Sequence, residues 1–464
     1  MASGSGGAGP PPLRRVLTLR TIISNSAGLT FATTSFVAAA QVASTMAGDA
    51  AWIAVLVAGV LAMLVAQSFA ELNGMMPSAA AIRAYLQRAY GDDLAVAVSG
   101  LYMFVIILVL GAEAFVLAQA LHFELPAVPP LLWIALLLVA ALAVNWRGIE
   151  IAGRFQDAIT YLVVASLFVF GYLAFAHAHF ALPHVLQPGG VGSVAQAAAV
   201  GVFLFVGFEW VTPLAEEVTD NTLIAKGMMG AVALLTVAFM VITTAMGHYL
   251  DAHALGGTAP QMLFAVRVLG AAGGVWMIGI CLGASATTFN AGLTAASRFL
   301  YATAREGSAP PWLARVHPRY LTPQNALLGL FVVVAVATVA VSLSRGFTAI
   351  VDMAAALEGV VYALVSVAVI RLRRREPAAA RPYRAWAVPY LQWVTTVVFG
   401  ALAVLSAVQG GWGAGVLLLV GFGAAWWYTR SVVPRLREAA RQRRAAARGA
   451  RRPWPAPPPA PPGT

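Results

Sequence analysis

Charged residues are scarce in this chain. They make up 10% of its 464 residues, against 60% hydrophobic ones. A soluble domain carries roughly 25% charged and 45–50% apolar residues. The shortfall excludes a single soluble core and makes lipid the expected solvent. Cysteine is nearly absent: Cys281, inside an apolar run, stands alone, so no disulfide can form within the chain and the redox compartment is not readable. Lysine is nearly absent too, since of the 29 basic residues only Lys226 is not arginine. A net charge of +11 is compatible with nucleic-acid binding. Its location argues otherwise, because the arginines fall in short segments between apolar runs and in the tail after Trp427. There is no phosphate-binding P-loop and no Rossmann glycine pattern beside a strand. An ATP-driven pump is therefore disfavoured unless a separate subunit supplies the ATPase. No loop is long enough for a catalytic domain, and no nucleophile–base pair or metal set recurs on the apolar runs. Neither enzyme activity nor a cofactor is expected.

The apolar runs themselves are long. A bilayer span needs about 20 apolar residues, and twelve segments qualify, with boundaries good to a few residues: Thr21–Thr45, Ala50–Ala70, Leu94–Leu121, Pro129–Trp146, Ala158–Phe180, Val194–Ala215, Gly227–Leu250, Val268–Tyr301, Asn325–Leu343, Thr348–Ile370, Val388–Val408 and Trp412–Tyr428. The last two meet at Gly410-Gly411, a tight-turn signal. The first lacks a small-residue cleavage site followed by a soluble domain, so it does not read as a signal peptide. With the N-terminus in the cytoplasm, 27 of the 29 basic residues fall on the cytoplasmic side, and only Arg267 and Arg345 fall outside. The positive-inside rule then places both termini in the cytoplasm, in a plasma membrane. Residues 1–16 read as a disordered tail, 17–430 as the membrane domain, and 431–464 as a basic, proline-rich cytoplasmic tail. That tail suits anionic lipid headgroups. The fold class is an all-α polytopic membrane protein.

Ten spans plus two suit a carrier built from two inverted five-helix repeats, in which the first helix of each half is interrupted and its bare backbone holds the substrate. Those helices are spans one and six. Span one crowds Asn25, Ser26, Gly28, Thr30, Thr33, Thr34 and Ser35 into its middle. Hydroxyls bonded to the i−4 carbonyl would account for some of them by packing alone. Span six sets Gly207 and Pro213 around Glu209. A carboxyl at such depth is costly and points to function, or else to a buried acid paired with a hydroxyl. Two further acids, Glu113 in span three and Glu358 in span ten, have no basic partner within their spans. Glu113 is a candidate proton carrier or a contact for a cationic substrate, or a neutral hydrogen-bonded acid. Ser285, Thr287 and Thr288 in span eight offer oxygens for sodium or hydroxyls for helix packing. His177, His179 and His184 share a loop, but no cysteine or nearby acid completes a zinc set.

Four stretches resemble one family. AELNGMMPSAAAIRAYLQRAYG (Ala70–Gly91), FLFVGFEWVTPLAEEV (Phe203–Val218), SRFLYATAREGSAPPWLARVHPRYLTPQNA (Ser297–Ala326) and LRRREPAAARPYRAW (Leu372–Trp386) are similar, in order and spacing, to segments of the amino acid–polyamine–organocation (APC) superfamily of permeases. The resemblance implies a LeuT-like 5+5 inverted repeat plus two C-terminal helices, which works by rocking spans one, two, six and seven against a scaffold. It implies a substrate that is an amino acid or related amine. It places Phe203, Val206 and Gly207 at the substrate, with Phe203 as an aromatic lid and freed carbonyls accepting from an ammonium. Glu209 matches the family's acidic position, for proton coupling or gating. Where the family often has Gly-Ser-Gly-Ile, this chain has Ala32-Thr33-Thr34-Ser35, after Thr30. Either the threonine hydroxyls supplement the amide donors or the substrate head group differs. Some members carry a lysine in span five in place of sodium; Val163 stands there. The expectation is a secondary active amino acid permease, proton-coupled. An amino acid/amine exchanger or a polyamine or ethanolamine carrier is the alternative within transporters. A channel or sensory membrane protein is the alternative outside them.

Overall fold

The computed structural model describes residues 13–46, 51–178, 191–257, 259–343, 347–409 and 411–449. These residues form helices joined by short loops. The helices are α1 (Leu19–Thr30), α2 (Thr33–Met46), α3 (Ala51–Met75), α4 (Ile82–Tyr90), α5 (Asp92–Glu124), α6 (Pro130–Trp146), α7 (Ile149–His177) and α8 (Val191–Gly201). Two 3₁₀ segments, Val202–Phe205 and Phe208–Glu216, lead from α8 to α9 (Thr222–Tyr249). The short α10 (Ala252–Leu255) and the long α11 (Pro260–Arg305) come next, then a 3₁₀ turn, Pro311–Ala314. The chain closes with α12 (Gln324–Leu343), α13 (Phe347–Arg375), α14 (Tyr390–Gln409), α15 (Gly411–Ser431) and α16 (Val433–Gly449).

Local chemistry sets many of these ends. Asp92 and Asp93 occupy the first turn of α5, where the helix dipole favours acids. Pro130 and Pro260 open α6 and α11, where the missing N–H costs nothing. Arg373, Arg374 and Arg375 close α13, where the dipole favours bases.

Each of the twelve expected spans falls on a helix. Nine helical stretches among the described residues are long and apolar enough to cross a membrane, and α6 is a shorter apolar helix. The first expected span is divided between α1 and α2, and the sixth between α8 and the two 3₁₀ segments. Leu136, Leu162, Val336, Val397 and Leu419 point outward from α6, α7, α12, α14 and α15. Such an apolar rind needs a hydrocarbon solvent. Inside, α1 packs against α9, α7 and α11, α3 runs along α9, and α5 touches α11, α12 and α13.

One end of this bundle is basic, and there the four stretches quoted above interlock. Glu71 receives Arg373 and Arg381, together with the backbone N–H of Ala385 at 2.8 Å. Glu216 receives Arg305 through both carboxylate oxygens and the N–H of Ala79 at 3.0 Å. Arg83, buried, pairs with Glu306 and Asp92 and donates to Ser308. Glu217 and Arg298 meet at 2.9 Å with neither exposed to solvent. Residues of both expected tails join this end. Leu13 is buried against Tyr301 and Leu313, and Val16 donates its N–H to the Glu217 carbonyl at 2.9 Å. Arg437 of α16 pairs with Asp92 at 2.6 Å.

The Glu217–Arg298 pair yields a stability prediction. Removing one partner of a buried ion pair strands the other charge and costs about 3–5 kcal/mol. Glu217→Ala is expected to lower the thermal stability of the detergent-purified protein far more than Glu376→Ala, which breaks an exposed pair with Arg88. Equal melting temperatures for the two variants would refute a structural role for the pair.

Candidate functional site

Inside a bilayer, a helix that stops must have its free N–H and C=O groups satisfied by protein. α1 stops at Thr30 and α2 starts at Thr33, so Phe31 and Ala32 form a gap. Four first-turn N–H groups lack a partner within any helix. At α2 the N–H of Ala32 goes to Ser35 Oγ at 3.1 Å. The N–H groups of Thr33 and Thr34 go to Glu113 Oε1 and Oε2, at 2.8 and 2.9 Å. Ser285 donates its hydroxyl to the same Oε1. Glu113 comes from the middle of α5 and is wholly buried. It thus has backbone amides for partners instead of a base. On the other side of the gap, Ser35 Oγ donates to the Thr30 carbonyl at 3.0 Å and Thr288 Oγ1 to that of Gly28 at 3.1 Å.

The second gap lies between the 3₁₀ segments, at Val206 and Gly207. Gly207 has φ +111°, a conformation that L side chains rarely adopt, which explains the glycine. Beyond it runs a 3₁₀ segment of nine residues, Phe208–Glu216, with Pro213 inside. Runs longer than 3–4 residues are uncommon and often mark a hinge. The two gaps are tied together: Ser26 Oγ donates to the Phe208 carbonyl at 2.7 Å.

A cavity of about 100 Å³ opens between the gaps. That is room for several waters. Thr30, Ala32, Thr34, Phe203 and Val206 line it, with Leu29, Leu108 and Ala355 among the other walls. Phe203 also lines a second cavity, with Gln196, Leu402 and Ser406. Phe203 is thus common to the walls of both.

Five of the expected site residues thus gather around one cavity. The others surround it without lining it. Thr33 turns its hydroxyl away, towards the Cys281 carbonyl at 3.0 Å and Ser285 Oγ at 2.9 Å. Gly207 faces Leu29, since a Cβ added there would lie 3.4 Å from Leu29 Cγ. Glu209, the second residue of the 3₁₀ segment, is buried. Tyr102 and Tyr362 donate to its two carboxylate oxygens at 3.1 and 2.6 Å. Tyr102 is fixed in turn by stacking on Trp210, 4.0 Å between centroids.

The span-eight hydroxyls are engaged by protein. Besides Ser285, Thr287 bonds to the Ala284 carbonyl, and Thr288 to those of Gly28 and Ala284. Val163 packs on Gly283, where an added Cβ would lie 2.4 Å from its Cγ2. One turn or two away, the amide of Gln156 donates to the Ser24 carbonyl of α1 at 3.2 Å. Asn290 donates to Gln156 Oε1 at 2.7 Å and itself receives Asn145 at 2.8 Å. Sequence reasoning missed this buried amide chain. Its signal was two asparagines within apolar spans, Asn145 and Asn290, and a glutamine just ahead of a third. His177 ends α7, while His179 and His184 lie outside the described residues.

Two substitutions test the site. Gly207→Leu forces a side chain into a left-handed backbone, at a cost of about 1–2 kcal/mol, and presses on Leu29 in the cavity wall. Phe203→Ala removes the side chain common to both cavity walls. Both variants are expected to reach the membrane folded but to lose substrate binding. Unchanged affinity in either, by uptake or ligand-induced thermal shift, would place the site elsewhere.

The chain is similar to known transport proteins. A family profile described as "Amino acid permease" matches residues 21–427. The gamma-aminobutyric acid permease of Escherichia coli (strain K12) is 24% identical over 377 residues, covering 76% of this chain and 80% of that protein. The methylthioribose transporter of Bacillus subtilis (strain 168) is 25% identical over 403 residues, covering 80% and 84%. Among solved structures, a Na⁺-coupled sialic acid symporter in a substrate-bound outward-open state superposes with TM-score 0.56 at 12% identity, over 85% of this chain and 90% of that one. The last likeness shows a shared fold. The apolar helices and the family match together make this a multi-pass membrane protein, and the chain belongs to the amino acid permease family.

Proposed function

We propose that the protein is a secondary active permease of the plasma membrane, which carries a small amino acid or amine through the cavity between the two interrupted helices and couples that movement to protons. The observation that carries this reading is the cavity itself: it lies between two interrupted helices and is lined from both, by Thr30, Ala32 and Thr34 on one side and Phe203 and Val206 on the other. Twelve crossings arranged as two inverted five-helix repeats plus two helices suit the order of the elements. So does a cytoplasmic location for the basic end and both termini.

Proton coupling rests on the acids beneath the second gap. Glu358 lies against Glu209 and Tyr362, yet neither of its oxygens has a hydrogen-bond donor by geometry. Two carboxylates in contact repel each other strongly in an apolar interior, and no cation is beside them. A proton held between them removes the conflict. Glu209 lies in the first turn of the hinge-like 3₁₀ segment, so movement there changes the solvation of the pair. It is the residue to load and release the proton. Glu113, locked to α2, serves as a second candidate.

Two measurements follow. In vesicles with an imposed pH gradient, the wild type is expected to accumulate substrate without sodium. Glu209→Gln, which mimics a permanently protonated acid, is expected to stop accumulation and to retain substrate exchange. Sodium-stimulated uptake, or full accumulation by the variant, would sink the mechanism. For orientation, a reporter active only outside the cytoplasm is expected to stay silent when fused after Thr464 and to work when inserted near His184. The reverse pattern would overturn the charge-based topology.

A further inference from the structure

Glu113 holds the place that an incoming carboxylate would need. Its oxygens take the two N–H groups set free at the start of α2, plus the Ser285 hydroxyl. The N-terminus of a helix is the end that favours an anion. We propose that the protein fills this anion subsite from within, and that its substrate is a small primary monoamine lacking a carboxylate. The inference rests on the reading of the two helix gaps as the substrate site.

Exchange energetics come first. A substrate carboxylate could reach Thr33 and Thr34 only by expelling Glu113, and it would then remake the bonds it had broken. The swap gains nothing, and the expelled carboxylate would have left three charge-assisted hydrogen bonds inside an apolar interior. A substrate without a carboxylate loses nothing by comparison.

Charge points the same way. Among the described residues, no arginine, lysine or histidine lines the cavity. Ala112 and Thr34, which do line it, flank the Glu113 carboxylate in sequence and by hydrogen bond. That negative charge attracts an ammonium and repels a second carboxylate across low dielectric.

Size and wall chemistry limit the rest of the molecule. The cavity is about 100 Å³, and beyond the hydroxyls of Thr30, Thr34 and Ser35 its walls are apolar. A second ammonium, as in a diamine, would meet Leu108, Val109 and Ala355 without an acid. One acid suits one ammonium with a short apolar or hydroxylated body.

The test pairs amino acids with the amines left when their carboxylate is removed: alanine with ethylamine, serine with ethanolamine, valine with isobutylamine. Thermal shift of the full-length protein in detergent reads binding, because a ligand of the folded state raises its stability by mass action. The wild type is expected to respond to amines and not to their parent amino acids. Glu113→Gln keeps the shape without the charge and is expected to weaken amine binding on the order of tenfold. Glu113→Ala empties the subsite. It is expected to gain binding of the parent amino acids, and to recover amine binding when acetate is added to occupy the vacated amides. A gain of binding also reports that the variant is folded. Wild-type stabilisation by amino acids as strong as by their amines would overturn the proposal while leaving the permease reading in place. So would Glu113→Ala binding amines as well as the wild type without acetate. Stabilisation by neither set, together with no uptake of either, would overturn both.

Discussion

A backbone amide that leaves a helix within hydrocarbon must find its acceptor inside the protein, and this requirement shapes the centre of the molecule. Two helices are interrupted there. Each gap frees polar groups that lipid cannot serve, and neighbouring elements supply the partners. α5 sends Glu113 to the amides of α2, α11 sends Thr288 to a carbonyl of α1, and α1 sends Ser26 across to the far side of the second gap. These long-range bonds fix how α1, α5 and α11 stand relative to one another. The cavity is what remains between them.

The basic end obeys a different constraint. Charged groups there are partly or wholly out of water, and two of the acids take several donors each. Glu71 serves two arginines and a backbone amide, and Glu216 serves an arginine and a backbone amide. Such multiply bonded pairs join loops that are distant in sequence. They hold the bundle shut at that end, while the apolar central cavity lies between the helix gaps.

Much of this was legible from hydropathy and charge. The apolar segments fall on helical stretches, nine of them long enough among the described residues to cross a membrane, because burial in lipid demands long apolar runs. The two interrupted helices were legible as well. Hydroxyls crowded around Gly28, and Gly207 with Pro213 around an acid, are poor choices for an unbroken span. What remained hidden was pairing at a distance. Nothing local to Glu113 says that its partners are the amides of Thr33 and Thr34, because backbone donors leave no mark in a side-chain alphabet. The direction of Thr33 was hidden for a similar reason. One residue's rotation about α2 decides whether a hydroxyl meets the cavity or α11, and the boundary of a helix is read only to within a few residues. The amide chain Asn145–Asn290–Gln156 was missed because charge drew attention first.

The bond from Ser26 to the Phe208 carbonyl has a mechanical consequence. Phe208 opens the second 3₁₀ segment just after the left-handed Gly207, and its carbonyl accepts a bond from Ser26 of α1. The two interrupted helices are thereby latched like the leaves of one hinge. Tilting either leaf alone would tear the latch inside hydrocarbon, where no water can replace it. Movement of both together leaves it intact. The cheapest path through a transport cycle therefore has one coordinate instead of two, which works against both sides of the cavity standing open at once.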